Sequence, residues 1–170
     1  MPRHTPRYLL LLVLLVLSVF MLVVQRPIQI FQITSNSMFP TLAKGDLVLG
    51  YSIPFWKLSV TKGDVVAFDQ NGQTDDVDYL VKRVVATSGD LVSTYGDYAA
   101  INSIPRISSN GVGDQLKVTH IEGEEIFVMG DNRSKSVDSR TFGPVKIHNV
   151  KFKVVGRLFS GAGRVFSPVR

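Results

Sequence analysis

Residues Tyr8 to Val24, YLLLLVLLVLSVFMLVV, carry no charged side chain. As a helix rising 1.5 Å per residue, this run would be roughly 26 Å long, close to the apolar thickness of a bilayer. A chain of 170 residues supports little more than one core, and a helix apolar on all sides is no ordinary face of a small core. The basic stretch ahead of it, MPRHTPR, also suits the start of a cleaved secretory signal. Yet the run is longer than the usual apolar region of such a signal. It also leads into Gln25-Arg26-Pro27 without a small-x-small cleavage site. The expectation is an uncleaved, single N-terminal transmembrane helix over 8–24. Arg3 and Arg7 precede it with no acidic neighbour, and Arg26 alone follows closely. The positive-inside rule then puts residues 1–7 in the cytoplasm and the rest on the outer, periplasmic or extracellular, face of the cytoplasmic membrane.

The formal charge is +5, and setting aside Arg3 and Arg7 leaves a mild excess. That excess suits a domain resting near anionic lipid and gives no support to nucleic-acid binding. The absence of cysteine excludes disulfides and cysteine-ligated metal sites.

From Ile28 onward the pattern is β. DLVLGY (46–51), DVVAF (64–68), DYLVKRVVA (78–86), LKVTHI (116–121), EEIFVMG (124–130) and VKFKVVGRLF (150–159) are short runs bounded by Gly, Asp, Asn and Ser. No stretch beyond the anchor sustains a helical period. The predicted fold is mostly β, an antiparallel domain over 28–160. The tail, 161–170, has no assigned role. Gly-Asp recurs at 45–46, 63–64, 89–90, 96–97, 113–114 and 130–131, spaced too irregularly for a repeat. The first five read as turn punctuation. Residues 93–114 are the most loop-like and read as a hairpin excursion.

Three stretches bear chemistry. TSNSMFPTL (34–42) offers two serines two positions apart, then a proline turn. Of the three histidines, His4 precedes the anchor, while His120 and His148 sit beside no paired acid. A Ser-His-Asp triad is recognised by geometry rather than sequence position, so it stays open as the weaker alternative. Lys82 lies among Leu80, Val81, Val84 and Val85. A lysine there either points to water or is buried. Bringing its pKa from about 10.4 to near 7 costs roughly 4–5 kcal/mol of solvation, within reach of full burial. Adjacent strand residues face opposite sides, so one of Lys82 and Arg83 must point inward. The third stretch, GDNRSKSVDSRTFGP (130–144), is dense in groups that can hydrogen-bond one another.

In order and spacing these stretches resemble the bacterial-type (type I) signal peptidases, or leader peptidases. SNSMFPTL resembles that family's nucleophile box, VKRVVATSGD its Lys-Arg box, and MGDNRSKSVDSRTFG its Gly-Asp-Asn…Ser-x-Asp-Ser-Arg box. The resemblance covers about Phe31 to Gly156 plus the anchor. It implies a signal-peptidase-like antiparallel β domain with a reduced accessory segment near 93–114. Ser37 would be the nucleophile and Lys82 the general base, with Ser136 orienting the amine. The Ser35 hydroxyl and the Ser37 N–H would receive the oxyanion. Asp138 and Arg140 would form a supporting ion pair, with Asp131 and Arg133 structural around the site. Candidate walls of two shallow pockets for small residues at −1 and −3 are Ile33, Met38, Leu42, Leu80 and Val81, each equally readable as ordinary core. The implied partners are preprotein signal peptides and the lipid bilayer, with no cofactor, metal or nucleic acid, in a monomer. Two departures stand out: Thr34 where the family often has proline, and Ala86 where it often has glycine. Ile53–Trp56 reads as a loop dipping into the bilayer interface or as core. The rival readings are another Ser-Lys peptidase (pilin-processing or a self-cleaving repressor) and a membrane-tethered β module without catalysis.

Overall fold

The apolar run forms helix α1, Thr5–Val24, in a computed structural model that describes residues 5–24, 28–52, 59–69, 79–103, 116–160 and 165–169. Side chains from Tyr8 to Leu17 along α1 are exposed. Among the described residues, no helix is long and apolar enough to cross a membrane. The Ile53–Trp56 loop, His4, and residues 104–114 of the predicted excursion lie outside the described residues.

Beyond α1 the chain is β, and every strand pair is antiparallel. The strands are β1 (Ile28–Gln32), β2 (Leu47–Ser52), β3 (Val65–Phe68), β4 (Leu80–Thr87), β5 (Leu91–Tyr95), β6 (Tyr98–Ile101), β7 (Lys117–His120), β8 (Glu125–Met129), β9 (Val145–Lys146), β10 (Val150–Phe159) and β11 (Val165–Pro168). The larger sheet has the order β1-β2-β10-β3-β4-β8-β9, with β11 also on β10. The long strand β10 alternates buried and half-buried residues from Val150 onward, as a period-two run with one packed face should. It meets β2 along one edge. On the other it meets β3 as far as Val154 and then β11 from Gly156. The tail is thus partly a sheet strand, which its mixed composition did not signal.

Three apolar clusters form the core. One gathers Val66, Phe68, Val84, Ile126, Val128, Val145 and Val150. A second, beneath the chemistry-bearing turn, gathers Ile33, Met38, Leu42, Val48, Val65 and Val154. The third, around Ala86, Val92, Ile121, Phe127 and Met129, joins the main sheet to a small one ordered β6-β5-β7. β5 and β6 form the expected hairpin, turning at Gly96-Asp97.

Three of the Gly-Asp pairs build one device. Asp46, Asp64 and Asp90 each donate their N–H to the carbonyl three residues back, closing a turn whose glycine has φ of 96°, 94° and 89° respectively. Glycine suits that left-handed region. Each carboxylate also accepts the N–H of the turn's first residue, from Ala43, Thr61 and Thr87 at 2.8–2.9 Å. Each pairs with a cation as well: Arg157, Lys153 and Lys62. The turn reading therefore holds for these pairs.

Candidate active site

Ser37 stands on a tight turn whose ends are fixed by main-chain bonds. Phe39 N donates to Asn36 O at 3.2 Å, and Leu42 N to Met38 O at 2.9 Å. Met38 is buried below it in the second core cluster. The Ser37 side chain faces β4, where Lys82 occupies a core-facing position opposite Val66. Lys82 is only 3% exposed, and its Nζ hydrogen-bonds Ser37 Oγ at 2.7 Å. Burial pushes the Lys82 amine below the ordinary lysine range, while the Asp138 carboxylate pulls in the opposite direction. An amine lowered by desolvation is a base that can accept a hydroxyl proton. Ser35 Oγ lies 3.1 Å from Ser37 Oγ and 3.5 Å from Ser37 N. Its hydroxyl and the Ser37 N–H thus share one small volume beside the serine oxygen.

Around this pair run two ionic supports. Asp138, fully buried, accepts from Arg140 Nε at 2.9 Å and Nη2 at 3.0 Å, and from the Gly130 N–H at 3.0 Å. It also caps the single-turn helix α2, Ser139–Phe142, through the Arg140 N–H. Burial alone raises the Asp138 carboxyl, but Arg140 and the Gly130 N–H outweigh it and hold it below the usual carboxylate range. Arg140 additionally reaches the hairpin tip, donating to the Asp97 carbonyl at 3.1 Å and its carboxylate at 3.2 Å. The small sheet is thereby pinned to the site.

The second support brings in Arg83, to which the sequence assigns no partner. Asp131 pairs with Arg83, through Nε at 2.8 Å and Nη2 at 2.7 Å, and accepts the Thr41 hydroxyl. Arg133 makes no ion pair among those described; its carbonyl receives Arg140 Nη2. The alternation of Lys82 and Arg83 carried the missed signal. One residue serves the buried amine site, and the other clamps β4 to the Ser37 turn from the opposite face.

Two expectations need correction. Ser136 Oγ is buried but has no well-formed hydrogen bond, so it does not grip Lys82 in this arrangement. It lies instead against Gly130, where an added Cβ would strike both Ser136 and the Ser37 carbonyl oxygen. Leu42 is fully buried in the second core cluster and does not line the cleft beside Ser37 and Lys82, because the turn directs it inward under Ser37. The other wall candidates, Ile33, Met38, Leu80 and Val81, do line a cleft of about 200 Å³ together with Ser35, Ser37 and Lys82. Phe31, Gln32, Thr34 and Tyr79 complete it. His120 is exposed, paired with Glu122 at 3.4 Å, and neither it nor His148 lines this cleft. Among the described residues, no group of His, Asp or Glu converges to hold a metal ion.

A family model described as signal peptidase, peptidase S26, matches residues 6–159. The chain is 30% identical over 137 residues to thylakoidal processing peptidase 1, chloroplastic, of Arabidopsis thaliana, covering 74% of this chain and 40% of that protein. It is 36% identical over 124 residues to signal peptidase I of Bacillus licheniformis, covering 65% and 64%. To signal peptidase IB of Staphylococcus aureus it is 30% identical over 161 residues, covering 81% and 82%. The chain thus spans less than half the length of the plant relative. With a family model matching nearly its whole length around this serine and lysine, the chain belongs to the signal peptidase family, peptidase S26.

Proposed function

We propose that this protein is a membrane-anchored serine endopeptidase that removes N-terminal signal peptides from exported preproteins by a Ser37–Lys82 dyad. The observation that carries the reading is the buried 2.7 Å contact between Lys82 Nζ and Ser37 Oγ. Neutral Lys82 takes the Ser37 proton as Oγ attacks the scissile carbonyl carbon. The resulting ammonium gives that proton to the departing amine, leaving an ester on Ser37. Water, deprotonated by the same lysine, then hydrolyses the ester. The oxyanion formed in each half is received by the Ser37 N–H and the Ser35 hydroxyl. Asp138 with Arg140 and Asp131 with Arg83 hold the surrounding loops.

Ile33, Met38 and Val81 narrow the cleft next to the dyad, which supports small residues at −1 and −3. The apolar run of α1 supports an anchor over 8–24, and the charge bias supports a catalytic domain, 28–160, on the outer face of the cytoplasmic membrane.

The test is cleavage of a preprotein with small residues at −1 and −3, in detergent or vesicles, by the native chain, Ser37→Ala and Lys82→Ala. Both substitutions should abolish turnover. Native activity should rise with pH through the lowered lysine pKa, because only the neutral amine accepts the proton. Retention of native turnover by either variant overturns the dyad.

A further inference from the structure

The cleft has two unlike ends. Its walls are the segments Phe31–Ser35 and Tyr79–Lys82, and both run toward the dyad. Near the dyad the apolar lining is aliphatic: Ile33, Val81 and Met38. At the far end each segment begins with an aromatic ring, Phe31 on one and Tyr79 on the other. These rings are tied together by a third. Phe152, 8% exposed on β10, stands 6.2 Å from Phe31 and 5.5 Å from Tyr79, the latter edge-on at 87°. Such tilted and edge-to-face pairs are the favourable arrangements for aromatic rings.

Gly50 makes the assembly possible. A Cβ there would fall 2.8 Å from Phe31 Cε1 and 3.1 Å from Phe152 Cβ. The glycine is therefore a space for rings and not a turn. Phe31 and Tyr79 remain half-buried, with surface left open to the cleft that they line.

A substrate strand lying in the cleft has a fixed geometry. At about 3.3 Å per residue, Tyr79 lies roughly 10 Å along β4 from Lys82. With the −1 carbonyl at Ser37, the −1, −3 and −5 side chains share one face of an extended substrate. Residue −5 lies about 13 Å upstream of −1, which brings it to the aromatic end. We infer that Tyr79 and Phe31, backed by the buried Phe152 ring, form a third specificity subsite that accepts a bulky apolar or aromatic side chain at −5, beyond the two small-residue pockets. The inference rests on the signal-peptidase reading above. A charged −5 side chain would find no partner against these rings, and alanine would leave them unfilled.

The experiment measures kcat/KM for preproteins that differ only at −5, as Leu, Phe, Ala or Asp, with the full chain and with Tyr79→Ala and Tyr79→Phe. The native chain should prefer Leu and Phe over Asp by about tenfold or more, the range set by apolar side-chain recognition. Tyr79→Ala should shrink that ratio to about twofold. Tyr79→Phe should keep the preference, because the ring and not the hydroxyl makes the contact. Equal native rates for Leu and Asp overturn the subsite without recourse to any variant. A preference undiminished in Tyr79→Ala overturns its assignment to the rings. Failure of the native chain to cut any of the four overturns the underlying signal-peptidase reading instead.

Discussion

Replacing Gly130 by alanine tests how tightly the Ser37 turn is held. Gly130 is not among the glycines with positive φ, so alanine loses nothing in backbone conformation there. By unfolded-state entropy alone it would gain about 0.4–1 kcal/mol. Space decides otherwise. The added Cβ would lie 2.5 Å from the Ser37 carbonyl oxygen and 2.6 Å from Ser136 Cβ, and closer still to Ser136 Oγ. Relief requires a movement of about 1 Å, and the Ser37 carbonyl is also the acceptor of Asn132 N at 3.0 Å. Overpacking of this kind costs about 1–3 kcal/mol, so the net loss of stability should be about 1–2 kcal/mol. The catalytic cost is larger in consequence. A 1 Å misplacement of a reacting group lowers turnover about 100-fold, equivalent to roughly 2.7 kcal/mol of barrier. Turnover on a preprotein and thermal unfolding should both be measured, with Gly123→Ala as comparator. Gly123 has φ of 52° and open space around it, so its alanine should lose about 1 kcal/mol of stability and keep native turnover. A Gly130→Ala enzyme within twofold of native kcat would refute the argument that the 130 backbone sets the serine's position.

Removing the Ser35 hydroxyl as alanine should lower kcat about 10²–10³-fold with KM nearly unchanged, since an oxyanion donor acts in the transition state; steady-state kinetics separate the two. Asp131→Ala leaves the mostly buried Arg83 guanidinium without its carboxylate, and should cost about 3 kcal/mol in chemical denaturation. Asp90, held at about 2 by Lys62, the Thr87 N–H and Asn102, is a depressed carboxylate. Its contribution to stability is present above its unfolded value near 4 and is lost as pH falls through about 2. Asp90→Ala should therefore lose about 2 kcal/mol at neutral pH, and the difference from the native chain should close over that acidic window.

Ser37 and Lys82 draw attention because each stands out within its own segment, but their pairing as nucleophile and base comes only from the resemblance of three boxes taken in order. A serine before a proline turn and a lysine amid β-branched residues are each unusual within a few positions. What the sequence concealed lies across long separations. Arg83 and Asp131 are 48 residues apart, and nothing near either names the other; only the forced opposition of neighbouring strand residues hinted that Arg83 needed a partner. Leu42 and Leu80 look alike as apolar residues near the chemistry, yet one supports the turn from below and the other lines the cleft. That choice is made by tertiary packing. The region 93–114 reads as an excursion because Gly, Asn and Ser interrupt its short apolar stretches, which hides β6 and the end of β5, and β9 is only two residues long. Gly130 belongs to the one Gly-Asp pair not read as turn punctuation, yet nothing beside it in sequence announces that its role is steric.

The strand β11 has a practical consequence for handling this molecule. Past Val154, β10 has lost β3, and β11 supplies the pairing for Gly156, Arg157 and Phe159. Trimming the chain back to Ser160 would strip one side of that stretch to bare N–H and C=O groups, with the half-exposed Phe159 ring beside them. A naked edge of this kind invites the same edge on another copy. Shortened versions should therefore be judged by their tendency to self-associate before their activity is compared with that of the intact chain.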